Sequence, residues 1–71
     1  MTRAALKNKA KKISPAFAEA FEIMKNPEKF EKEHIDIDID IYLDELADRI
    51  EEELEDTELE EYIDEIFDLI S

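Results

Sequence analysis

Apolar positions along the 71-residue chain change period several times, and each change marks an element. Residues 3–12 hold a small apolar set, Ala4, Ala5, Leu6 and Ala10, behind Thr2 as a cap. They predict a short basic helix that frays at its start. Ser14-Pro15 is a strong start signal, a capping hydroxyl followed by proline at the first helical position. From there Phe17, Ala20, Phe21 and Met24 fall on one face of a helix ending near Lys25. Asn26-Pro27 repeats the signal and opens a short helix containing Phe30, with Glu28 four residues before Lys32. Residues 35–41 read Ile-Asp-Ile-Asp-Ile-Asp-Ile. A period of two in a β-branched residue predicts a strand, although aspartate is a poor strand former. Ile35, Ile37, Ile39 and Ile41 would share one face, with Asp36, Asp38 and Asp40 on the other.

Helical spacing returns in Leu43, Leu46, Ala47, Ile50 and Leu54, and again in Leu59, Tyr62, Ile63, Ile66, Phe67 and Ile70. At about 100° per residue the second set lies roughly 150° around the cylinder from the first. One straight helix would then carry apolar stripes on nearly opposite sides. A break near Glu55–Thr57 is the better reading, with Thr57 and Glu60 as a capping box. A continuous helix buried on two sides is the alternative.

The expected fold is therefore mainly α with one short strand, in a single domain spanning 1–71. Its parts are a basic start (1–13), short helices (14–34), the Ile/Asp strand (35–41) and acidic helices (42–70). No other segment reads as a partner strand, and an unpaired strand leaves backbone groups unsatisfied. Self-pairing across a two-fold axis solves this, so a homodimer with Ile35, Ile37, Ile39 and Ile41 at its interface is expected. The plainer reading is an extended linker resting its isoleucines on helices.

Composition narrows the picture. Glycine is absent, which argues against a multi-stranded meander and excludes a Gly-rich phosphate loop. Only Asn8 and Asn26 are ready substitutes where positive φ is needed. There is no cysteine, so no disulfide or thiolate metal site staples the thin core of so short a chain. No signal peptide or membrane span is apparent, and a cytoplasmic location is expected.

Charge changes the picture most. The formal net charge is −13, unevenly spread. Residues 1–18 carry five bases (Arg3, Lys7, Lys9, Lys11, Lys12) and no acid, whereas residues 36–68 carry seventeen acids and one base, Arg49. Such a field repels nucleic acid and anionic membrane and attracts basic partners.

Enzymatic groups are scarce, so an enzyme is not expected. Ser14 is better explained as a cap, and His34 as a solvated histidine at a helix end. Asp36-x-Asp38-x-Asp40 suggests a calcium loop, but an EF-hand starting there needs glycine at position 41 and glutamate at 47, where the chain has Ile41 and Ala47. An acyl carrier would need its serine in an Asp-Ser-Leu-type context, and Ser14 lies in Ile-Ser-Pro. No cofactor and no metal site is expected. Tyr42, Tyr62 and the phenylalanines fit apolar faces, with both tyrosines able to edge an interface.

The acidic tract remains. Solubility explains most acidic runs, but residues 44–68 hold fourteen carboxylates in 25 positions. That is roughly one charge per 2.7 Å of helix, against about one phosphate per 3.4 Å of axis for one strand of duplex DNA. A folded surface of this kind can stand in for a phosphate backbone. The Ile-Asp run followed by Asp/Glu-rich helices resembles the acidic DNA-mimic inhibitors encoded by bacteriophages. Among these it resembles in particular the Bacillus phage inhibitors of the histone-like nucleoid protein HU.

The resemblance implies a non-enzymatic inhibitor that occupies the DNA-binding surface of a basic host protein in the bacterial cell. The basic start departs from an all-acidic mimic. The candidate partner-binding residues are Asp36, Asp38, Asp40, Asp44, Asp48, Glu51, Glu52, Glu55 and Asp56, with Glu58, Glu61, Asp64 and Asp68. The alternative is a small dimeric adaptor, such as an antitoxin or phage regulatory module, gripping a partner through the apolar face of residues 59–70.

Overall fold

The structure, a computed structural model, describes residues 1–70. It is mainly helical: α1 (Arg3–Ile13), α2 (Pro15–Lys25), α3 (Pro27–Glu33), α4 (Ile39–Leu54), a 3-10 turn (Glu60–Tyr62) and α5 (Ile63–Asp68). The first three helices are cut at single residues. Thr2 Oγ1 accepts the Ala5 N–H at 3.1 Å and opens α1. Ser14 then acts in two directions. Its N–H donates to the Ala10 carbonyl at 2.8 Å, closing α1, and its Oγ accepts the Phe17 N–H at 3.1 Å, opening α2. Asn26 repeats this, donating to Glu22 at 3.2 Å and accepting from Lys29 N–H at 3.4 Å. A proline follows each, where a helix N-terminus needs no N–H donor.

α2 is the central element, packed against α1, α3 and α4. Its buried residues are Ala16, Phe17, Ala20 and Ile23, with Phe21 half-buried beside them. Met24, expected on the buried face, is exposed, and Ile23 takes the inward position. Leu46, Ile50 and Leu54 of α4 meet this face at i, i+4, i+8 spacing, and Leu59 and Ile66 close the core from the C-terminal side.

The expected strand does not form. Among the described residues there is no strand at all. Residues 35–37 turn, with the Ile37 N–H donating to His34 O at 3.1 Å, and Ile39, Asp40 and Ile41 belong to the first turn of α4. Asp38 caps that helix, its Oδ1 accepting the Asp40 N–H at 3.0 Å. The physical reason lies in the aspartates. They are poor in strands but favoured at and just after a helix N-cap, where the dipole and unpaired N–H groups welcome carboxylates. A helix also satisfies its backbone locally, whereas a lone strand cannot. Ile35, Ile37, Ile39 and Ile41 therefore do not line up on the face of a strand. Ile39 packs on the core and the other three are exposed, so the strand on which the expected homodimer rested is absent among the described residues.

The break after α4 is where the sequence places it. Asp56 has φ of 64°, the left-handed region that glycine usually fills. With no glycine available, an aspartate takes this role rather than Asn8 or Asn26. Thr57 Oγ1 donates to Leu54 O at 2.6 Å and accepts from Leu59 N–H at 3.1 Å, while Glu60 Oε2 accepts from Asp56 N–H at 2.8 Å. The reciprocal cap thus pairs Glu60 with Asp56 instead of Thr57, and a 3-10 turn precedes α5. Asp56→Gly should remove the backbone penalty and one repelling charge. A gain of about 1 kcal/mol is expected, and thermal denaturation checks it. An unchanged or lowered midpoint would show that Asp56 is not strained.

Candidate protein-binding face

Helix dipoles divide the molecule into two halves. α1 ends on Lys11 and Lys12, α2 on Lys25 and α3 on Lys32, as a helix C-terminus prefers. α4 has no base in its last turn. It carries Glu51, Glu52 and Glu53 there, against its own dipole, and α5 also lacks a terminal base. Each such acid costs about 0.3–1 kcal/mol. Stability alone would not select this arrangement, although the first three helices show that the chain can supply bases at this position.

α4 sets out its acids on one side. At about 100° per residue, Asp44, Asp48, Glu51 and Glu52 fall within an arc of roughly 100° opposite Ile50. All four are exposed, whereas Ile50 is fully buried. Asp44, Asp48 and Glu52 form an i, i+4, i+8 ridge with a repeat of about 6 Å. Ile41 lies on the same outward side of the helix.

The remaining candidate acids, Asp36, Asp38, Asp40, Glu55, Asp56, Glu58, Glu61, Asp64 and Asp68, are exposed as well. Some have structural duties. Asp38 caps α4, and Asp56 makes the left-handed turn. Glu58 pairs with Lys9 at 2.8 Å, the side chains being 61 % and 45 % exposed, so its contribution to stability is small.

The fold also separates out acids with an internal role. Glu53 is half-buried, and its Oε1 accepts from Ser14 Oγ at 2.7 Å and from Ala16 N–H at 3.1 Å. It ties α4 to the start of α2 and balances the α2 dipole. Glu60 is held by its backbone cap. Neither was a candidate for partner binding. No local pattern marks Glu53 as a cap for Ser14, because 39 residues separate the two.

The basic start serves the chain itself. Lys11 and Lys7 lie over the Phe21 ring, 4.2 and 5.3 Å from its centroid, and Lys9 meets Glu58. Three of its five bases are therefore directed onto the chain's own surface.

Elsewhere the groups serve the fold. Ser14 is fully buried with its hydroxyl committed. His34 is the C-cap of α3, its ring 4.7 Å from Phe30. Tyr42 lies on the other contact of Phe30, at 5.0 Å, and donates its hydroxyl to Glu19 at 2.7 Å. This bond, with burial and the Glu19 charge, holds the phenol above its ordinary range. An open groove of ≈ 560 Å³ runs past Glu19, Phe30, His34 and Tyr42. Among the described residues no group of three or more acids or histidines converges to hold a metal ion, and no helix is long and apolar enough to cross a membrane.

The chain matches no protein-family model, no curated protein and no solved structure.

Proposed function

We propose that this protein is a non-enzymatic DNA mimic that binds and blocks the DNA-binding surface of a basic protein. The carrying observation is α4, whose exposed carboxylates run against its own dipole and line up on the side away from the core. The resemblance to phage inhibitors makes the histone-like protein HU the first candidate target, in the bacterial cytoplasm. A field of −13 steers a basic partner toward the face and keeps nucleic acid away. The homodimer expected from the Ile-Asp run rested on a strand, so the reading here rests on the single chain.

The adaptor alternative needs an accessible apolar face over residues 59–70. Leu59 and Ile66 are fully buried in the chain's own core, and Tyr62, Ile63, Phe67 and Ile70 pack around them. Much of that face is engaged within the chain, which favours the mimic reading.

Competition tests the proposal. Added to a preformed complex of duplex DNA and HU, the protein should release the DNA without binding it. Displacement should weaken between low and physiological salt, because the contacts are exposed and charge–charge. Native gels and fluorescence anisotropy follow both. A stable ternary complex, with the protein in excess over HU, would contradict mimicry.

A further inference from the structure

We infer that the α3–α4 connection is a seat for an apolar side chain presented by a basic, DNA-bending partner. This rests on the mimic reading and adds the class of protein that is mimicked for. Three isoleucines lie unpacked within seven residues, Ile35 at 82 %, Ile37 at 43 % and Ile41 at 61 % exposure. An open hollow of ≈ 360 Å³ is lined by Ile35, Ile37 and Ile39 together with Glu31, His34 and Asp38. Asp36 and Asp40 alternate with these isoleucines in sequence, and Ile41 lies on the outward side of α4 with Asp44 and Asp48. The surface thus sets exposed isoleucines among carboxylates.

Charge decides the occupant. A second copy would bring the same aspartates and a further −13 against this rim. The fitting partner carries an exposed apolar side chain flanked by lysines or arginines. Proteins that read the major groove present hydrogen-bonding side chains to base edges. Architectural proteins that bend DNA through the minor groove drive an apolar wedge between base steps while their bases hold the adjacent phosphates. To such a protein DNA offers two things, a phosphate rail and an opened base stack. Carboxylates alone copy the first, and the isoleucine hollow copies the second.

The test compares Ile35→Ser/Ile37→Ser with the parent against two probes, HU and polylysine. Both substitutions lie on exposed turn residues, and circular dichroism melting confirms the fold. Binding to HU should weaken tenfold or more, mainly through faster dissociation, with the salt slope unchanged. Binding to polylysine, which has no wedge, should not change. Ile35→Leu/Ile37→Leu should bind HU like the parent.

Equal HU affinity of the serine variant and the parent would overturn the inference. If the acidic face were still required, the mimic reading would stand without it. A parent that does not bind HU would remove both. A parent that sediments as a dimer, and becomes monomeric on the serine substitutions, would assign the hollow to a second copy and overturn the inference too.

Discussion

Replacing Asp44 and Asp48 by Asn, and Glu51 and Glu52 by Gln, is expected to weaken binding to a basic DNA-binding protein by roughly 100-fold while making the free protein more stable. The shapes are conserved and four charges are lost from one side of α4. If each contact with a partner base contributes about 0.5–1 kcal/mol, four together amount to about one and a half to three decades in the dissociation constant at low salt. Much of the loss should fall on the association rate, because the field steers the encounter. Stability should move the opposite way. Glu51 and Glu52 oppose the α4 dipole, and Asp44–Asp48 and Asp48–Glu52 are like-charge pairs at i, i+4 spacing. Relief of about 0.3–1 kcal/mol for each dipole clash and about 0.2–0.5 for each pair should raise the melting midpoint by several degrees. Stopped-flow binding and calorimetry measure the two effects. Parent-like affinity would show that the α4 face makes no contact with the partner. A lowered midpoint would show that the carboxylates are structural.

Phe17→Ala should produce the largest loss of folded protein. Phe17 is fully buried in the first turn of α2, its ring 6.2 Å from that of Phe21. Truncating a buried phenylalanine costs about 3–5 kcal/mol. A domain of this size has on the order of 4–10 kcal/mol in total. The variant should therefore be marginal at low ionic strength. Added salt should recover part of the fold, since it screens the self-repulsion of a chain at −13. Urea denaturation at two salt concentrations reads both effects. A loss below about 1 kcal/mol would mean that the site repacks around the void.

The helices of the first half were legible because their signals are local. Ser14-Pro15 and Asn26-Pro27 each place a capping side chain and a proline within two residues, and no distant contact is needed to read them. The break after Leu54 was legible for a related reason, since the two apolar stripes could not share one straight cylinder. The Ile-Asp run misled because its period of two fits a strand and ignores position. Asp38 and Asp40 sit where a helix begins, and the N-terminal dipole prevails over the alternation. Face assignment in α4 could be read from spacing. The duties of Glu53 and Asp56 could not. One depends on a serine 39 positions away, and the other on a backbone angle that a glycine-free chain must assign to some other residue.

Single-residue corners at Ser14 and Asn26 bear on recognition in a different way. A disordered acidic tail of equal charge would have to be ordered residue by residue on its target, at about 1–2 kcal/mol of backbone entropy each. Here α1, α2 and α3 follow one another with no slack, and Glu53 bolts α4 to the first corner, at Ser14. The spacing of the outward carboxylates is then set before any partner arrives. On the proposed reading, a target would meet a stiff template, whose attraction is not diluted by the freedom it would otherwise have to surrender.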